Sequence, residues 1–185
     1  FVFDPLDIVG KSGVSTPIAT RRLLDFSLAN PLHADLSNDS RSNELWNHLS
    51  RVVYGLVLPG TRTYATFGSS GGHTSGVGYK IVQDNGRRTG GYSSYLVKDN
   101  YHYYWLWDVR DLARVAAGEL EPYEVRPYEY GIFRTPFEGS AHKLGGGTFD
   151  PSTGRIYLTA QGADREQGEY SNPPVVMVFE VAGSP

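Results

Sequence analysis

Glycine and proline interrupt this chain so regularly that a long helix has nowhere to form. Its 22 glycines and 11 prolines leave only residues 43–50 and 112–117 with a helical pattern. The second is preceded by Asp111, a capping residue, and followed by Gly118, which is free to take a left-handed exit. What remains is a set of short apolar runs separated by turn residues, with 13 tyrosines and 8 phenylalanines in the chain. Aromatic and β-branched runs bounded in this way are strand signals, so the predicted class is all-β.

At 185 residues folding removes roughly 70% of the unfolded chain's surface from water, enough for a core without staples. Hydrophobic residues make up 39% of the chain and charged residues 20%, with 17 Lys and Arg against 20 Asp and Glu. That balance argues against a disordered segment and against a basic nucleic-acid binder. No apolar run approaches the ~18 residues of a spanning helix, so no membrane span is expected. The absence of cysteine excludes thiolate catalysis and Cys-bearing zinc sites. No His-Glu-x-x-His or EF-hand spacing occurs, and the glycine-rich stretch 68–76 lacks the Lys-Ser/Thr ending of a phosphate loop. Neither a metal nor a cofactor is therefore expected.

Two segments resemble each other internally. Residues 55–66 (GLVLPGTRTYAT) align with residues 147–159 (GTFDPSTGRIYLT) after one insertion. Each reads as a strand, a Pro/Gly turn and a strand, and Asp150 to Gly154 fits a type I turn closed by a glycine with positive φ. A second pattern, an aromatic followed by an acid, recurs at residues 1–8 (FVFDPLDI), 105–112 (WLWDVRDL) and 177–181 (MVFEV). One further apolar run precedes each hairpin, at residues 23–28 and 127–133. The predicted unit is thus four antiparallel strands, present as two complete blades (about 20–110 and 125–182) plus one leftover outer strand (1–9). Recurrence suggests that Asp4, Asp108 and Glu180 serve as turn or cap acceptors and that Asp7 and Asp111 cap helices.

On these residues the chain resembles a β-propeller repeat protein, in the style of secreted bacterial propellers with an Asp-Pro-x-Thr-Gly-Arg-Ile-Tyr-Leu-Thr hairpin. The resemblance implies that residues 1–185 are one β domain, read as C-terminal blades, with the start at Phe1 as a cut end. The ring would be completed by the remaining blades of a longer chain or by further copies, since propellers need about four to eight blades. Trp105 and Trp107 are expected to pack between neighbouring blades. A β-sandwich built from the same strands is the alternative.

In an up-and-down unit the long connections 30–51, 68–101, 136–145 and 161–173 emerge at one end, and long connections in a compact domain usually carry function. All five histidines, His33, His48, His73, His102 and His142, fall there or at its margin. The candidate ligand-binding residues are His33, Asp35, His73, Arg87, Tyr92, Tyr95, Asp99 and His142. Imidazole, carboxylate and guanidinium orient polar ligands, while Tyr92 and Tyr95, flanked by glycines and serines, suit exposed stacking. The expected function is non-catalytic: a propeller segment of an extracellular or surface protein that binds a glycan or a protein partner. The extracellular expectation rests on Tyr, Gly and Ser content and on the Asn38-Asp39-Ser40 glycosylation sequon. One alternative is a glycoside hydrolase using a carboxylate pair drawn from Asp25, Asp35, Asp99 and Glu129. Another is an assembly subunit held by open blade edges.

Overall fold

The computed structural model of the chain describes residues 8–10, 18–137, 143–168 and 170–181. The expected strand at residues 1–9, with Asp4 and Asp7, lies largely outside them. Two antiparallel sheets account for most of the strands. The first is built in the order β1 (Arg51–Val57), β2 (Thr63–Gly71), β5 (Asn100–Asp108) and β6 (Glu129–Ile132). The second consists of β7 (Lys143–Asp150), β8 (Arg155–Gln161) and β9 (Val175–Glu180), while β3 (Ile81–Val82) and β4 (Arg88–Thr89) form a small separate hairpin. The class is all-β, with one helix, α1 (Val109–Ala117). Among the described residues the sheets close into neither a barrel nor a ring of blades.

Both tight hairpins form where their turns were read. Val57 pairs with Tyr64 and Asp150 with Arg155. In the second hairpin Gly154 adopts φ +68° and its N–H reaches the Asp150 carbonyl at 2.9 Å. The Asp150 carboxylate accepts from the Ser152 N–H at 2.9 Å, the Ser152 hydroxyl at 2.6 Å and the Thr153 hydroxyl at 2.8 Å, which hold it below the ordinary aspartate value.

Strand grouping departs from the expected blades. Residues 23–28 form no strand. Leu23, Leu24 and Phe26 lie across the face of the first sheet, where Phe26 stacks on Trp107 with ring centroids 5.9 Å apart. The fourth place is taken instead by β6, which pairs with β5 from Tyr103↔Ile132 to Leu106↔Glu129. The run at 127–133, expected to open a second blade, thus completes the first sheet and leaves the second with three strands.

Side-chain alternation explains how the first sheet buries both faces. Tyr103, Trp105 and Trp107 on β5, with Tyr64 on β2, face a core that holds Leu32, Leu112, Val115 and Val125. Tyr54 and Leu56 on β1 and Phe67 on β2 face the opposite way, onto Leu158, Met177 and Phe179 of the second sheet. Trp105 and Trp107 therefore pack beneath the N-terminal loops and α1, and not between sheets. Trp105 meets the Trp46 ring at 5.1 Å and donates its indole N–H to the Leu45 carbonyl at 2.7 Å. Aromatic pairs of this kind are worth about 0.5–1.5 kcal/mol beyond the area they bury. The close approach of the sheets runs through Gly147, where a Cβ would sit 2.6 Å from the Tyr157 carbonyl and 3.0 Å from Tyr54 Cδ1.

The helix starts one turn earlier than its expected cap. Asp108 is the N-cap, accepting from the Arg110 N–H at 2.8 Å, while Asp111 sits in the first turn and pairs with Arg114 at 3.1 Å. Gly118 closes the helix at φ +79°. The other expected helix, 43–50, is a run of turns and bends. Its asparagines hydrogen-bond the backbone locally: Asn43 accepts from the Leu45 N–H at 3.1 Å and donates to the Trp46 carbonyl at 2.8 Å, and Asn47 accepts from the Leu49 N–H at 2.9 Å. Such bonds offer the chain an alternative to the helical ladder.

Candidate functional site

The start of β1, the end of β2, the start of β5 and the start of β7 meet at one end of the sheets, and the long connections leave from there. The loop 30–50 is stitched onto the loop 71–77 by asparagine amides. Asn38, fully buried, donates to the Gly72 carbonyl at 2.8 Å and to the His73 carbonyl at 2.9 Å, and accepts from the Asn43 N–H at 2.8 Å. Asn47 donates to the Gly71 carbonyl at 2.8 Å. Asn38 itself lies at φ +49°, a left-handed conformation that asparagine tolerates better than most residues. The sequon at Asn38 is thus closed in this fold: both amide hydrogens are committed in the interior, with no room for a glycan.

Asp99 anchors the next layer. Its carboxylate accepts from the backbone N–H groups of His73 (3.1 Å), Thr74 (2.9 Å) and Ser75 (2.7 Å) and from the Ser75 hydroxyl (2.7 Å). Burial alone would raise the Asp99 carboxyl, but the hydrogen bonds from Ser75 and Thr74 outweigh it and hold the group below the ordinary aspartate value. His73 lies between Tyr101 and Tyr103, ring centroids 5.3 and 5.2 Å away. Burial pushes it below the ordinary histidine value, against the pull of the Asp99 and Glu44 carboxylates. Its Nε2 is 2.9 Å from the Ser70 hydroxyl, which is 3.0 Å from the Ser50 hydroxyl; Ser50 in turn accepts from the Asn47 N–H at 2.9 Å. This chain ties a surface serine to a buried histidine and fixes the direction of the Ser50 hydroxyl. The base is one hydroxyl removed from Ser50, so the arrangement is a brace.

Above these layers lies an open groove of about 450 Å³. Its polar wall is made by Ser50, Ser69, Ser93 and Asn100, its cationic groups are Arg51 and Lys143, His48 adds an imidazole, and Tyr95 supplies an aromatic surface. Burial raises the Tyr95 phenol, which stays a neutral donor and acceptor at neutral pH. Tyr92 stands beside the groove, 59% exposed, its ring edge-on to His48 at 5.4 Å and its hydroxyl 3.2 Å from the Ser37 hydroxyl. A smaller cavity of about 230 Å³ shares His48 and Ser50 with the groove.

Of the expected ligand residues, Tyr95 lines this groove and Tyr92 stands beside it, against His48. Asp99 and His73 lie beneath it as supports. Asp35 is a loop acceptor for the N–H groups of Asp39 and Ser40, both at 2.9 Å, and hydrogen bonding by Ser40 holds it below the ordinary aspartate value. His33 accepts from the Asp35 N–H at 3.1 Å in the same loop. Arg87 sits on the exposed turn of the β3–β4 hairpin, and His142 lies outside the described residues. The sequence reading missed Ser50, Arg51, Ser69, Asn100 and Lys143. They come from separate segments and share only their place at strand ends on the loop-rich side.

No carboxylate lines the groove among the described residues. Asp25 is paired with Arg22 in the N-terminal segment, and Glu129 accepts from the Tyr104 hydroxyl at 2.8 Å on β6. No group of three or more His, Asp or Glu arranged to hold a metal occurs among the described residues. No helix there is long and apolar enough to cross a membrane. The chain matches no protein family model, no curated protein and no solved structure.

Proposed function

We propose that this chain is a non-catalytic binding module whose groove takes a glycan. The observation that carries this reading is the groove's lining: hydroxyl, amide and aromatic groups side by side, mounted on a doubly braced loop layer, with no carboxylate among the described residues. Sugars offer both hydroxyls to such donors and acceptors and an apolar ring face to tyrosine, and ligand sites combine a mostly fixed wall with a few placed polar groups. A glycosidase needs two carboxyl groups about 5–9.5 Å apart across the scissile bond, and this groove has none among its described residues.

Tyr95→Ala removes the groove's aromatic surface. Loss of a stacking tyrosine is expected to weaken glycan binding at least about tenfold, the equivalent of ~1.4 kcal/mol. A glycan array probed with the native chain, Tyr95→Ala and Tyr92→Ala checks it, with circular dichroism as the folding control. Unchanged binding by both variants would remove the groove from the reading.

The propeller belongs to the same proposal, with the two sheets as blades of a larger ring in an extracellular or surface protein. Face-to-face packing of the sheets supports it, as does the outer face of the second sheet, where Val176 and Val178 are 58% and 51% exposed. If further copies complete the ring, light scattering gives a native mass that is a multiple of 20.4 kDa. A particle of a single chain mass excludes that route.

A further inference from the structure

We infer that the ligand of this groove is an anionic glycan, a sugar chain bearing carboxylate or sulfate groups. The inference rests on the glycan reading above and adds the charge of the ligand. The chain carries a net charge of -3, with acids outnumbering bases 20 to 17. Among the described residues five cations are neutralised in place: Arg22 by Asp25, Lys98 by Asp84, Arg110 by Asp108, Arg114 by Asp111 and Arg155 by Glu180.

Arg51 and Lys143 are among the cations outside these pairs, and they are set apart by sharing one groove. Neither has a carboxylate partner among the described residues, and both line the same groove from different sheets, Arg51 at the start of β1 and Lys143 at the start of β7. Like charges converging on a partly enclosed site repel one another, and a bound anion relieves that repulsion while gaining charge-assisted hydrogen bonds. A guanidinium matches a carboxylate or sulfate through paired N–H donors, and an ammonium adds a second, more adaptable point of attachment. Ser50, Ser69 and Asn100 then meet the sugar hydroxyls. The aromatic wall and the chain's negative net charge favour a glycan over a nucleic acid, whose long phosphate backbone calls for an extended basic surface.

The test uses the whole chain and four probes: polygalacturonate, which carries carboxylates only; heparin, which adds sulfates; a neutral galactan; and a single-stranded oligonucleotide. Calorimetric titration is expected to show binding of at least one acidic polysaccharide, weakening as salt rises, with little or none of the galactan. Polygalacturonate binding assigns the carboxylate, and heparin binding alone assigns the sulfate. Arg51→Gln with Lys143→Gln, both at exposed positions, is expected to weaken that binding roughly 10–100-fold, the range of one or two charge-assisted contacts. The urea midpoint should stay unchanged. If the galactan binds as well as the acidic probes and the double variant leaves its affinity intact, the charge inference is overturned while the glycan reading stands. If the oligonucleotide binds more tightly than every polysaccharide, the ligand class is overturned. If no polysaccharide binds and Tyr95→Ala changes nothing, both readings fall.

Discussion

Asn38→Ala is expected to destabilise the chain by about 3–5 kcal/mol, at the extreme of what single substitutions do. Three backbone groups lose their partner at once: the Gly72 and His73 carbonyls and the Asn43 N–H. Each buried polar group left unpaired costs about 1–3 kcal/mol, and the sum is less than additive because the loops relax together. The backbone adds to the effect, since alanine tolerates the φ of +49° less well than asparagine. Asn38→Gly separates the two causes, because glycine accepts that φ yet restores none of the hydrogen bonds. Urea denaturation of the three proteins measures the difference. If glycine recovers most of the loss, backbone conformation dominates; if it recovers little, the amide does. A change of less than about 0.5 kcal/mol in Asn38→Ala, the ordinary range of a surface site, would show that the loops do not depend on this residue. The same geometry predicts that the chain, folded in a glycosylating host, keeps Asn38 unmodified.

What the sequence revealed and what it concealed divide along the range of the interactions involved. The hairpins at 57–63 and 150–155 were legible because a turn is decided by its own residues, as Asp150, Ser152, Thr153 and Gly154 show. The alternation of Tyr103, Trp105 and Trp107 was legible for the same reason, through the two-residue period of a strand. Partner choice was not. Residues 23–28 and 127–133 look alike as short apolar runs, but only the second reaches the free edge of β5, and nothing within either run says so. The failed helix at 43–50 shows the opposite error, in which a helical pattern was read while the competing side-chain bonds of Asn43 and Asn47 were overlooked.

The groove was half legible. Tyr92 and Tyr95 announced themselves by standing among glycines and serines, where a large side chain has little local packing to do. The polar candidates Asp35 and Asp99 are occupied within their loops, whose own N–H donors claim both carboxylates. Backbone N–H groups in irregular loops must find acceptors, so a lone acid in a long connection is often spent there. Arg51 and Lys143 are adjacent only because β1 and β7 begin at the same end of packed sheets, a relation that exists in the fold alone.

That internal use of Asp99 and His73 leads to the second large effect: stability is expected to fall on acidification in two steps. His73 has a folded pKa depressed below its unfolded value. As pH drops below about 6.5 the unfolded chain therefore takes up this proton first, and stability declines until the folded histidine also protonates. Asp99 also has a depressed folded pKa. Its contribution is fully present above the unfolded aspartate value of about 3.9 and is lost as pH falls through the lower folded value. Both groups bind more protons unfolded than folded, so both signs agree and stability rises with pH across each window. Urea midpoints measured between about pH 7.5 and pH 3 resolve the steps, because the two reference values lie about 2.6 units apart. His73→Gln is expected to remove the upper step and leave the lower one. Asp99→Asn keeps the volume but exchanges an acceptor of three N–H groups and one hydroxyl for an amide that can accept with only one oxygen. It should lower stability at neutral pH by about 2–4 kcal/mol, from the unpaired donors it leaves, and shrink the lower step without abolishing it, because Asp35 and Asp150 are also held below the ordinary aspartate value. Because the Asp99 carboxylate also favours the His73 cation, removing it should deepen the upper step. A midpoint that stays flat between about pH 7.5 and 5, or an upper step that survives in His73→Gln, would show that the imidazole beneath the groove does not couple protonation to folding.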